Sequence, residues 1–146
     1  MKTIFEAIRE DHDIQRDLCK RILDTSGETK DRKQLWKALK AELQGHEIAE
    51  ERHFYKPLID NDMMIEHARH GIAEHHEIND ELIEKVDEAD MDSAAWLTYA
   101  KQLADKVEHH LEDEEHSFFQ LAGKVFTEKQ KTELSKEYQA SMKEQR

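Results

Sequence analysis

Apolar residues recur along most of the chain at steps of three and four, the period of a helix that buries one face. Leu97, Ala100, Ala104, Val107, Leu111, Phe118, Leu121 and Val125 show it best, and the member missing from that series, position 114, is a glutamate. Alternating patterns of the β type are absent. Polar breaks fall at Thr25-Ser26-Gly27-Glu28-Thr29, Asp60-Asn61-Asp62 and Ala89-Asp90-Met91-Asp92, with Gly123 placed as a helix C-cap. Thr3 with Glu6, Asp31 with Gln34 and Thr127 with Gln130 have capping-box spacing. The pattern predicts helices near 3–24, 31–59, 63–88 and 93–122, and a shorter one near 127–144. Short connections make long neighbours antiparallel. The expected fold is therefore all-α, an antiparallel up-down-up-down four-helix bundle (1–125) with an additional short C-terminal helical extension (126–146).

Composition removes several classes. A chain of 146 residues fits one domain, and one proline and four glycines argue against collagen-like or low-complexity sequence. The single Cys19 cannot form an internal disulfide, so it reads as a small core residue and a cytoplasmic, reducing compartment is expected. No run of 18 apolar residues is present to span a membrane, and Glu6 comes too early for a signal-peptide core. The net charge of −12 would repel phosphate backbones, so nucleic acid is not an expected partner. Ten histidines are the unusual number.

Self-comparison accounts for several of them. Shifted by 64 positions, the two halves align without a gap. Ile8 falls on Ile72, His12 on His76, Ile14 on Ile78, Leu18 on Leu82, Leu39 on Leu103, His46 on His110, Glu50 on Glu114, Glu51 on Glu115 and Phe54 on Phe118. Helices one and two look like a duplicate of helices three and four, related by a pseudo-twofold axis. The repeated polar set is His12, His46, Glu50, His76, His110 and Glu114, each on the apolar stripe of its helix. Buried carboxylates are costly unless paired or metal-bound. His and Glu four apart face the same way, so two such helices and two single-histidine helices can surround a pair of metals. Imidazole with carboxylate suits iron or manganese, and zinc is possible. Two carboxylates can each bridge ions about 3.5–4 Å apart.

At these residues the chain resembles the hemerythrin-like, HHE cation-binding family. The resemblance rests on Glu10-Asp11-His12, His46-Glu47-Ile48-Ala49-Glu50-Glu51, Ala73-Glu74-His75-His76 and His110-Leu111-Glu112-Asp113-Glu114-Glu115, with Phe54-Tyr55-Lys56-Pro57-Leu58 following the second motif. It covers roughly residues 3–122, and its specificity lies in the four-part order H, HxxxE, H, HxxxE. It implies two Fe ions in a non-haem di-iron centre, oxo- or hydroxo-bridged, able to bind dioxygen or react with it. Two departures stand out. Oxygen-carrying hemerythrins have a further histidine one turn before the helix-three ligand, where this chain has Ile72. Their last motif is HxxxxD, where this chain has HxxxE. Two six-coordinate irons need about twelve positions, and the six side chains with one bridge leave about two open. A more open centre favours sensing or redox reactivity over simple carriage.

The helix-three residue is His75 or His76. The repeat and the flanking Leu82-Ile83 favour His76, and the two point about 100° apart. His53, seven after His46, is a further ligand, a proton shuttle or a partly exposed polar residue. His67, His70, His109 and His116 break the repeat and read as surface, as do Glu51 and Glu115, which point about 100° off their neighbours. A ferritin-like Glu-x-x-His pair occurs once, Glu50 and His53, but its counterpart is Glu114 and Ser117. The zinc-protease HExxH fails because position 50 is Glu. Three functions remain: a dioxygen-binding or sensing protein, a di-iron enzyme acting on peroxide or nitric oxide, and an iron-handling or partner-binding module. A monomer or weak homo-oligomer is expected. The apolar stripe Leu134, Tyr138, Met142 packs on the bundle or docks a protein partner.

Overall fold

In the computed structural model, which describes residues 1–146, Thr3 starts the first helix α1 (Ile4–Leu23). Its side chain accepts the Glu6 amide while Glu6 reaches back to the Thr3 amide, the expected capping box. The second rod, α2 (Lys30–Glu50), is capped by Thr29, whose side chain accepts the Arg32 amide, so the expected Asp31–Gln34 box does not form. It continues through a π turn (Glu51–Tyr55) into a 3-10 turn (Lys56–Leu58). The third rod is α3 (Ile65–His76), a π turn (Glu77–Leu82) and α4 (Ile83–Glu88). The fourth is α5 (Ala94–Asp113), a π turn (Glu114–Phe118) and α6 (Phe119–Val125). Gly123 lies inside α6 rather than capping it. The last helix, α7 (Glu128–Gln145), has the expected Thr127–Gln130 capping box. There is no strand, and no helix is long and apolar enough to cross a membrane.

Two apolar clusters fill the interior. One holds Ile4, Ile8, Phe54, Tyr55, Phe118, Phe119, Tyr138 and Met142; the other holds Cys19, Ile22, Trp36, Leu39, Ile83, Trp96 and Leu103. Trp36 and Trp96 meet edge to face at 6.1 Å within the second cluster. A polar layer separates the clusters: His12 on α1, His46 and Glu50 on α2, His75 on α3, His110 on α5 and Glu114 at the start of the last π turn. Each successive rod crosses from one cluster through this layer to the other. α7 packs across α1 and α2 with Tyr138 and Met142 buried.

Three rods carry a π turn at the level of the polar layer, and the one in the third rod changes the register of the repeat. Beyond it, Ile83 and Val86 stand 64 positions after the buried Cys19 and Ile22. Up to the first residues of that turn, the buried Gly71, Glu74, His75 and Ile78 stand 63 positions after the buried Ile8, Asp11, His12 and Gln15. The wide turn holds one extra residue, which rotates everything before it by about 100°. The expectation that His76 faces inward is therefore corrected. Its side chain is 62% exposed and pairs with Asp80 at 2.7 Å, while His75 is 3% exposed. Ile14, aligned with Ile78 by the simple repeat, is exposed for the same reason.

Candidate metal centre

Four imidazoles and two carboxylates converge in the polar layer. Glu50 Oε1 lies 3.0 Å from His75 Nε2, and its Oε2 lies 3.3 Å from His46 Nε2 and 3.9 Å from His12 Nε2. Glu114 Oε1 lies 3.2 Å from His12 Nε2, and its Oε2 lies 3.6 Å from His110 Nε2. Each carboxylate thus touches both histidine pairs, His12 with His46 and His75 with His110. The i, i+4 spacing on α2, and from α5 into its π turn, brings each His–Glu pair onto one face.

The outer nitrogens have partners of their own. His12 Nδ1 donates to Glu115 Oε2 at 2.7 Å, His75 Nδ1 to Glu51 Oε2 at 2.9 Å and His110 Nδ1 to Glu74 Oε1 at 2.8 Å. His46 Nδ1 donates to the Tyr138 hydroxyl at 2.7 Å, which donates to Asp11 Oδ2 at 2.6 Å. Carboxylates only accept, and Tyr138 spends its proton on Asp11, so each Nδ1 carries the hydrogen and each Nε2 lone pair faces inward. Glu51 and Glu115, expected at the surface, are half-buried and orient histidines. Their duplication at 64 positions was the available signal.

Nothing in the protein satisfies the inward atoms. Nε2 of His12, His46, His75 and His110, both oxygens of Glu50 and Oε1 of Glu114 are seven buried atoms without a hydrogen-bond partner. One such atom costs about 1–3 kcal/mol, so seven in one place fit a site built to hold a cation. His12, His46, Glu50 and Glu114 form one group with all ligand atoms within 4.8 Å of one another, and Glu50, His75 and His110 form a second. Nitrogen and carboxylate donors without a thiolate suit iron, manganese or zinc.

The family model described as the hemerythrin HHE cation binding domain matches residues 3–122. The chain belongs to that family. A search of the curated proteins returned no match, and neither did a search of the solved structures. The HHE match ends before α7, which supplies Tyr138.

In the metal-free HHE domain the two carboxyl groups are pushed apart. Burial raises Glu50, but His46, Glu114 and His12 outweigh it and hold it well below the usual range. Burial and the neighbouring Glu50 charge raise Glu114. Burial lowers His75, yet the Glu50 and Glu51 carboxylates beside its two ring nitrogens bring it up to about 10, so without a metal this ring takes a second proton on Nε2. Protons therefore occupy part of this cluster when cations do not.

Two tyrosines, Tyr138 and Tyr55, complete the surroundings; the sequence pattern placed Tyr138 only on an apolar packing stripe and gave neither a part in the centre. Tyr55 donates to Glu114 Oε2 and stacks on the His75 ring at 5.3 Å. Phe119 stacks on His12 at 6.0 Å. His53 stays outside, 3.5 Å from Glu137, and His70, His109 and His116 are exposed. A cavity of about 10 Å³ lined by His67, His70, Glu74, His110, Glu114 and Phe118 reaches the centre, close to the space one water needs.

Proposed function

We propose that this HHE domain is a non-haem di-iron protein that binds or senses dioxygen. In this reading the rods run antiparallel, up-down-up-down, consistent with their alternating passage between the two clusters. His12 and His46 would hold one iron and His75 and His110 the other, with the Glu50 and Glu114 carboxylates within reach of both. The observation that carries the proposal is that each carboxylate reaches both histidine pairs while all four Nε2 atoms lack any other partner. A ferrous pair, when bound, would supply two electrons to a small oxidant.

The chain's own groups set the conditions. Glu51, Glu74 and Glu115 fix three imidazoles in the metal-binding tautomer. Tyr55 holds one oxygen of Glu114 with a hydroxyl that burial and the Glu114 and Glu50 charges keep protonated. The rings of Phe54, Phe118 and Phe119 exclude water on one side. The cavity beside His110 and Glu114 has about the space of one water.

A second reading, redox turnover of peroxide or nitric oxide, draws support from the size of the donor set. Four imidazoles and two carboxylates leave some of the about twelve positions of two six-coordinate ions open to a small oxidant. Anaerobic iron loading followed by oxygen exposure tests both. About two irons per chain and reversible visible bands are expected for dioxygen binding. Rapid irreversible oxidation with peroxide or nitric oxide consumption supports turnover, and failure to bind iron refutes both.

A further inference from the structure

The corrected register pairs Asp11 of α1 with Glu74 of α3, each one residue before an inward histidine. Glu74 touches His110 directly, through Oε1 to Nδ1 at 2.8 Å. Asp11, one methylene shorter, does not touch the counterpart His46. The Tyr138 hydroxyl stands between them, 2.7 Å from His46 Nδ1 and 2.6 Å from Asp11 Oδ2. Arg146 anchors the other Asp11 oxygen at 2.6 Å and also binds Glu42. Tyr138 is fully buried and lies beyond the matched residues 3–122.

We propose that Tyr138 is a positioning residue for His46 and acts on the His12–His46 metal position alone, so that the C-terminal helix is part of one half of the metal centre. This rests on the two-metal reading above. The other three inward histidines donate to full carboxylates, whereas His46 donates to a neutral phenol polarised by Asp11. Such outer partners fix ring orientation and donor strength, and losing one typically costs about 10–100-fold in metal affinity. The phenylalanine variant keeps the buried ring and removes only the hydroxyl.

The test is stepwise cobalt(II) titration of the full metal-free chain against a competing chelator, read by the visible bands of each step. His46→Ala and His110→Ala identify which step belongs to which position. Tyr138→Phe is expected to weaken the step that His46→Ala abolishes by about 10–100-fold and to leave the other within about threefold. Glu74→Gln is expected to do the reverse. Asp11→Asn keeps the tyrosine and should weaken the same step as Tyr138→Phe, so it carries the test if the latter does not fold. Equal weakening of both steps marks a general structural role and overturns the proposal. So does cobalt(II) binding in which neither Tyr138→Phe nor Asp11→Asn moves a step. A wild-type chain that takes up no cobalt(II) overturns the two-metal reading as well.

Discussion

Gly71→Ala is expected to unseat Tyr55 from the centre. A Cβ built on Gly71 would stand 2.6 Å from both Cζ and the hydroxyl oxygen of Tyr55. The ring cannot swing aside cheaply, because it is fully buried between His75 at 5.3 Å and Phe118 at 5.2 Å. In an unhindered helix interior the same change gains about 1 kcal/mol. Here the overlap costs about 1–3 kcal/mol. Loss of the Tyr55 hydrogen bond, which strands Glu114 Oε2 in the interior, adds about 1–3 kcal/mol. The balance is a destabilisation of about 3 kcal/mol, or about 10 °C in melting temperature for a domain of this size. Gly123→Ala is the control, since nothing lies within 4 Å of its Cβ, and it should gain up to about 1 kcal/mol. Urea and thermal unfolding of the metal-free proteins measure both. A Gly71→Ala protein as stable as the wild type would refute the argument that Gly71 is glycine to make room for Tyr55.

Three further outcomes are expected. His75→Ala should lower bound iron by about one equivalent by elemental analysis while His76→Ala retains the wild-type content, because His75 faces Glu50 and His76 faces solvent; the opposite pattern would restore the simple repeat. Metal-free protein should be most stable between about pH 4.5 and 6.5. Glu74 and Glu115, which hydrogen bonds hold near 2 against burial, contribute stability above their ordinary 4.5 that is lost toward pH 2, and His75, held near 10, contributes stability below its ordinary 6.5 that is lost toward pH 10. Denaturant midpoints across pH check this, and an optimum above pH 8 would contradict it. Gly45→Ala places a Cβ 2.8 Å from Gln145 Cβ, so it should speed amide exchange in the last turn of α7 and weaken the Arg146 contacts while global stability changes by about 1 kcal/mol or less; unchanged exchange there would count against it.

The sequence alone determined the helices and most of the inward set. Faces are a local property: a 3.6-residue period places His46 with Glu50, and His110 with Glu114, on the buried stripe, and duplication marks them as a pair of pairs. Thr3 and Thr127 likewise announced their caps within four residues. The tertiary structure decided the rest. One extra residue in the Glu77–Leu82 turn rotates the histidine choice from His76 to His75, and its mark in the sequence, a five-residue step from Ile78 to Ile83, is masked by Leu82 at the ordinary step of four. Tyr138 read as one rung of an apolar stripe because its partners, His46 and Asp11, are 92 and 127 residues away. Tyr55 and the close approach at Gly71 were hidden for the same reason: ring stacking and helix separation are settled only when distant segments pack.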